Sequence, residues 1–365
     1  MTAAGVTAMI TASASATAQT ANGTPVLTTP HFTFYSDLAT NVHDALITTA
    51  TARRAKQPEL FTAGAESACF DGLSTADRDG WKRAVDFYTA GASTRFQRVL
   101  QRLELAGLVQ RGGVSDPSDR RFLDESAAVR NAATLAYRQC RWPAQDAVNR
   151  RWIDGVKPLL AAHEATLGQE VAGLFKVPWA GLPFRVDVVE TALPTGADSA
   201  SPDFPTLHIL VSSRNSANQD LAALEIVFHE ASHFLTNPDS PLSTALAEAA
   251  KESGFTPQGD LVHQVHFFMT GETVRRVLAR AGEPSYTPYL YANRLFSDRF
   301  RDAVARTWPA YMDGTRTLSD AARDLVRTLN EPPRQFIPQS LGHARAAFAR
   351  FRLRRNESKP PEAPV

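Results

Sequence analysis

The sequence predicts an α+β fold that is mostly helical, with a small β-sheet just before one buried helix. Two observations predict it. Apolar residues recur at steps of three and four along most of the chain, which is the period of an α-helix. After the predicted N-terminal helices, only residues 184–189 and 207–211 have the β-branched and apolar composition of strands. A loop rich in Pro, Gly, Ser and Asp, residues 194–205, separates these two segments.

The elements follow in order from these periods and from capping residues. A short alternating segment at 31–35 predicts a strand, and Ser36 or Asp37 can cap the helix after it. Ser74 begins a second helix with the form of a capping box. Further helices are predicted at 93–107, 122–140, 143–154 and 156–174 before the two strands, and at 243–254, 260–281, 288–307, 317–330 and 338–353 after the buried helix.

The composition restricts the class of protein. The chain has 365 residues, of which 43% are hydrophobic and 21% are charged, with a formal net charge of +1. These values are typical of a globular protein. A nucleic-acid partner is not expected, because binding to phosphates requires a clear basic excess. No apolar stretch reaches the length of a membrane-spanning helix, so none is predicted.

The chain ends and the cysteines bear on its location. Residues 1–28 are rich in Ala and Thr, and Ala16-Thr17-Ala18 has the small-x-small form of a secretory cleavage site. We therefore expect a signal-peptide-like leader and a periplasmic or secreted protein; if the leader is only a disordered extension, the protein is cytoplasmic. The only cysteines, Cys69 and Cys140, can pair in an exported protein or remain buried thiols in a cytosolic one.

We divide the remaining chain into a helical N-terminal part, residues 29–180, and a metal-binding part, residues 181–355. One compact domain at 29–355 is the alternative. The polar, Pro-rich residues 356–365 are predicted to form a disordered tail.

One motif indicates a chemistry. Residues 229–233 read His-Glu-Ala-Ser-His, an H-E-x-x-H pattern within the apolar helical stretch 221–235. Residues four apart lie on one face of a helix, so His229 and His233 can bind the same zinc ion. Glu230 can then contact the zinc-bound water as a general base. Asn218 or Asp220 can cap this helix, and Asn237-Pro238 ends it.

A catalytic zinc usually has three protein ligands. The continuation after His233 lacks the Gly and His of metzincins, so a residue on a later helix is required. Glu272 is favoured because it lies in a strongly apolar helix, where a carboxylate needs a partner. The candidates are Glu248, Glu252, Glu272, His263 and His266.

Helix geometry separates two of these candidates. Nine residues separate His263 from Glu272, so on a straight helix they face nearly opposite sides and are not expected to bind the same ion. His263 can instead contact the substrate or donate a hydrogen bond to the oxyanion, and a role in the core or in support of the site is the alternative. The Tyr-rich run 285–291 offers further donors.

These segments resemble the gluzincin branch of HExxH metallopeptidases and, more closely, an uncharacterised family of exported bacterial proteins with an HEASH helix. The similarity spans most of residues 31–300, but only the HEASH and Gly-Glu segments are specific. It implies a zincin-like core and a zinc-ligand role for Glu272. The chain departs from the pattern near Trp142, where histidines are expected. The matching residues are Ser36-Asp37, Asn41, His43, His229 to His233, His263 and Gly271-Glu272.

The sequence therefore predicts a zinc metallopeptidase or amidohydrolase, with zinc bound by His229, His233 and Glu272, and with Glu230 and His263 as catalytic residues. Peptides or other amides are the expected substrates. A non-catalytic zinc-binding protein of the cell envelope is the alternative. A structural protein without metal is the third hypothesis, and zinc content distinguishes it from the other two.

Overall fold

A computed structural model describes residues 23–91, 94–109, 114, 116–199, 207–257 and 259–331. The leader up to residue 22, the predicted helix at 338–353 and the predicted tail lie outside these ranges. Within them, no helix combines the length and the apolar character that crossing a lipid bilayer requires.

The described chain is mostly helical and contains one small sheet, which confirms the predicted α+β class. The strands are β1 (Leu27–Thr28), β2 (Phe32–Tyr35), β3 (Phe184–Val189), β4 (Ala197–Ser199) and β5 (His208–Ser212). The helices are α1 (Leu38–Arg54), α2 (Gly64–Asp71), α3 (Thr75–Ala90), α4 (Arg95–Leu105), α5 (Pro117–Cys140), α6 (Trp142–Phe175), α7 (Leu221–Ser232), α8 (Pro241–Ser253), α9 (Leu261–Arg280), α10 (Tyr289–Ala292), α11 (Asp298–Thr307), α12 (Pro309–Met312) and α13 (Leu318–Asn330).

The sheet has five strands in the order β1-β2-β3-β5-β4. The central strands β2, β3 and β5 are parallel, and the outer strands β1 and β4 are antiparallel to their neighbours. Two of these strands were not expected. β4 lies inside the predicted loop 194–205, and β1 lies inside the predicted leader 1–28, so both predictions are wrong at those residues.

The sheet has one strongly apolar face. Phe34, Val186 and Val211 pack on this face against α6 and α7, within one continuous buried cluster. Because β2 comes from the N-terminal part of the chain and β3 to β5 come from the second part, the two predicted parts share this sheet. Helix α1 covers β3 from the other side, and α8, α9, α11 and α13 form a separate helical core.

Two helical segments differ from their predicted bounds. The predicted helices 143–154 and 156–174 form the single helix α6, which continues through Pro158 because it packs on both α7 and α9. The predicted helix 288–307 is instead divided into α10 and α11. Arg294 and Phe296, between them, have φ angles of 51° and 59°, which an α-helix does not allow.

A disulfide joins Cys69 in α2 to Cys140 at the end of α5, so the pairing expected for an exported protein is present. The bond closes a loop with a sequence separation of 71 residues. The adjacent residue Arg141 pairs with Glu66 on α2 and with Glu190 after β3. The covalent and ionic contacts together attach α2 to the sheet.

We expect the double variant Cys69→Ser/Cys140→Ser to lower the free energy of unfolding by about 4 kcal/mol, because opening so long a loop restores entropy to the unfolded chain. Denaturant titration measures this change. Reducing the wild-type protein should produce the same loss, and a reduced protein as stable as the oxidised one would contradict the prediction.

Candidate metal centre

Three histidines from two crossing helices converge beside the sheet. His229 and His233 lie four residues apart, at the end of α7 and in the short 3₁₀ turn that follows it, and His263 lies in the first turn of α9. One ring nitrogen from each histidine lies within 4.8 Å of the other two. Among the described residues, this group can hold a metal ion.

The spacing of two of these nitrogens fits a tetrahedral ion. His263 Nε2 lies 3.4 Å from His229 Nε2. Two ligand nitrogens on a tetrahedral zinc, each about 2.0–2.1 Å from the ion, are separated by roughly 3.4 Å. Three imidazoles are also a donor set that zinc uses when it keeps a fourth position open. The residues present therefore fit zinc.

Electrostatics favour the metal-binding form of these side chains. Burial lowers the pKa of His229 well below its ordinary value, lowers the pKa of His233 to about 3, and lowers the pKa of His263. Repulsion from neighbouring imidazoles adds to the effect at His229 and His233. All three rings are therefore neutral near pH 7, and neutral imidazole is the form that binds a metal.

Glu230 is buried and lines the same cavity as the three histidines. The pKa of its carboxyl is raised to about 8, chiefly by burial and also by the nearby charge of Asp198. A hydrogen bond with Ser199 and the charge of Arg102 act in the opposite direction. A metal cation held beside Glu230 would also lower the pKa, because positive charge favours the carboxylate.

A cavity of about 1010 Å³ opens next to the histidines. Its apolar side includes Val262, Phe267 and Phe296. All three residues of the edge strand β4 also line the cavity. The cavity is large enough for a substrate that extends beyond the metal-binding residues.

The structure does not bring Glu272 to the histidines. Its carboxylate accepts hydrogen bonds from Arg275 and Arg276 on the next turn of α9, at 2.6–2.9 Å. These arginines lower the pKa of Glu272 against the effect of burial. The alternative Glu252 is also elsewhere, in an ion pair with Arg323. His263, predicted to act on the substrate, instead lies with His229 and His233 in the group that can hold a metal ion.

His266, also on α9, contacts both Ser232 and His229 of α7. Its Nε2 lies 2.6 Å from the Ser232 hydroxyl, which donates a hydrogen bond to the backbone carbonyl of His229. The ring of His266 stacks on that of His229 with a centroid separation of 4.3 Å. The serine of the HEASH segment therefore joins α7 to α9 beside the metal-binding residues.

Other residues of the resemblance have local roles away from the cavity. Asp37 caps α1 by accepting a hydrogen bond from the Thr40 amide, and Asn41 donates one to the carbonyl of Val188. His43 Nδ1 lies 2.8 Å from the Tyr88 hydroxyl, in the N-terminal helical region. None of these three lines the cavity around the histidines.

Sequence reasoning missed two groups near the centre. Glu225, one turn before His229, is a buried carboxylate, and burial raises its pKa to about 7. The sequence did carry a signal for Glu225, because it is a glutamate within the apolar helical stretch 221–235. Arg102 is also buried and pairs at 2.6 Å with Asp198 of β4. That pairing joins α4 to a strand that the sequence did not reveal.

Comparisons with known proteins add no assignment. No protein-family model, no curated protein and no solved structure matches the chain. The resemblance to gluzincins therefore stays a prediction, and the geometry of the centre is the observation that bears on function.

Proposed function

We propose that the protein is a zinc-dependent hydrolase, a peptidase or amidohydrolase, in which His229, His233 and His263 hold the ion. The convergence of three imidazole nitrogens within 4.8 Å carries the proposal. The adjacent cavity favours catalysis over a purely structural metal, because structural zinc sites are closed by four protein ligands.

When bound by the three histidines, zinc would lower the pKa of a bound water and act as a Lewis acid toward a carbonyl oxygen. Within this chain, Glu230 accepts the proton of the attacking water and transfers it to the leaving nitrogen as the bond breaks. Glu230 lines the same cavity as the three histidines, so its carboxyl is available to a water bound there. Its burial excludes bulk water from this proton transfer.

Negative charge that develops on the carbonyl oxygen requires a hydrogen-bond donor. Tyr289 is the tyrosine of the predicted run 285–291 that lines the cavity together with Glu230 and His229. We assign its hydroxyl to this role. The residues of the edge strand β4 line the same cavity, and an extended peptide can lie along such an edge by strand addition.

The disulfide supports a periplasmic or secreted location for this activity. Structural disulfides persist in oxidising compartments and are rare in the reducing cytosol. Cys69–Cys140 fits the first environment.

The test uses the purified full chain. We expect one zinc ion per chain by elemental analysis, and cleavage of a peptide pool, followed by mass spectrometry, that stops on chelation and returns with added zinc. A chain without bound zinc, whose stability a chelator does not change, would exclude both metal hypotheses. Bound zinc without hydrolysis of peptides or other amides would favour the non-catalytic zinc-binding protein.

A further inference from the structure

We propose that Glu225 is a positioning residue that holds Tyr289 in the cleft at a fixed place relative to the metal-binding histidines. The inference rests on the proposed function for what Tyr289 does there. The contact between Glu225 and Tyr289 itself is independent of any metal.

Glu225 is completely buried, and its carboxylate binds the segment that carries Tyr289. The backbone N–H of Tyr289 donates to both carboxylate oxygens, at 3.0 and 3.1 Å. The hydroxyl of Tyr286 donates to Oε2 at 2.6 Å. One side chain of α7 therefore fixes both the start of α10 and the residue three positions before it.

A glycine on α9 makes room for this carboxylate. A Cβ atom at Gly271 would lie 2.6 Å from Oε1 of Glu225 and 3.1 Å from Cβ of Pro288. The carboxylate that approaches Gly271 is that of Glu225 on the facing helix, and not that of the neighbouring Glu272. Helices α7, α9 and α10 therefore meet at one side chain.

The position of Glu225 on α7 links its contact with Tyr289 to the histidines of the centre. Glu225 and His229 are four residues apart on the same rigid helix, so they lie on one face. The anchored amide belongs to Tyr289 itself, and Tyr289 is buried and lines the cavity together with Glu230. A catalytic hydroxyl must keep its distance to the reacting carbonyl within a fraction of an ångström, and anchoring its backbone to the metal helix provides this.

Glu225 holds Tyr289 through hydrogen bonds, so two substitutions of Glu225 that differ in hydrogen-bonding capacity should have different effects. In Glu225→Gln, the amide oxygen can accept from the Tyr289 N–H, while the amide nitrogen donates to the Tyr286 hydroxyl. Glu225→Leu keeps the volume but leaves the Tyr289 N–H without a partner. If the role of Glu225 were to supply negative charge to the metal centre, Gln and Leu would be equally damaging.

The first test uses the protein without metal. Hydrogen–deuterium exchange of the segment that contains Tyr289 should accelerate in Glu225→Leu and stay near wild type in Glu225→Gln. Glu164→Leu is the matched control, because Glu164 is another buried carboxylate that accepts hydrogen bonds, on α6. Unchanged exchange in Glu225→Leu, or equal acceleration in the control, would overturn the anchor.

The second test uses the zinc-loaded protein and acetohydroxamic acid, a small zinc-binding probe whose carbonyl can accept from Tyr289. We expect Tyr289→Phe and Glu225→Leu each to weaken its affinity about tenfold, measured by calorimetry, with zinc affinity retained. The double variant Glu225→Leu/Tyr289→Phe should bind the probe no more weakly than Tyr289→Phe alone. Both single changes remove the same hydrogen bond, the one from the Tyr289 hydroxyl to the probe. Additive losses, or equal losses in Glu225→Gln and Glu225→Leu, would overturn the proposal.

Two variants guard against misfolding of Glu225→Leu. Gly271→Ala displaces the Glu225 carboxylate, and Tyr286→Phe removes one of the hydrogen-bond donors to it. Both variants should lower the affinity for the probe, as Tyr289→Phe does. Failure of the wild-type protein to bind zinc would refute the proposed function, while the exchange test would still decide whether Glu225 anchors Tyr289.

Discussion

His263→Ala is expected to lower the zinc affinity of the protein by more than about 100-fold, since changes to residues that merely support a ligand already cost 10- to 100-fold. The reason is geometric. The three ring nitrogens lie within 4.8 Å of one another, so removal of one leaves two ligands on a single helix. Competition with a chromophoric chelator measures the affinity.

Glu272→Gln and Glu252→Gln are the matched controls, because the sequence offered both carboxylates as third ligands. Each should leave zinc affinity unchanged. Glu272→Gln should lower the free energy of unfolding by less than about 1 kcal/mol, because its ion pairs with Arg275 and Arg276 are partly exposed. Loss of zinc in Glu272→Gln, with zinc retained in His263→Ala, would restore Glu272 as the ligand.

The positions of Glu272 and His263 show which part of the candidate site the sequence determined. Helix geometry predicts that these two residues, nine positions apart, lie on nearly opposite sides of α9, so only one of them is expected to join the histidine pair. The choice between them depended on whether Glu272 lacked a partner. Arg275 and Arg276 follow Glu272 in the sequence by three and four residues. Side chains at these spacings pair along a helix, so the sequence already offered Glu272 two partners.

The fold was predictable where apolar periodicity is long and regular. Helix α7 and the central strands β3 and β5 follow from their own sequences. The edge strand β4 does not, because Ala197, Asp198 and Ser199 have little intrinsic preference for a strand and adopt it by pairing with β5. Contacts between distant residues, such as Glu225 with Tyr289, leave no periodic signal at all.

Glu230→Gln is expected to reduce kcat by roughly 100- to 10,000-fold, the usual contribution of a general base, while zinc affinity stays within a few-fold of wild type. The amide keeps the shape of the side chain and its place in the cavity but cannot accept a proton. Peptide cleavage by the zinc-loaded variant measures the loss, and zinc content measured on the same sample shows that the centre is intact.

Asp260→Asn is the control that makes this result specific. Asp260 lines the same cavity, and its carboxylate caps α9 by accepting a hydrogen bond from the His263 amide. Asparagine caps helices equally well, so the variant removes one acid from the cavity without displacing His263. If turnover survived in Glu230→Gln and disappeared in Asp260→Asn, the base would be Asp260. Turnover that survived in both would mean that neither carboxylate transfers the proton, and the hydrolytic mechanism proposed for this cavity would fail even with zinc bound.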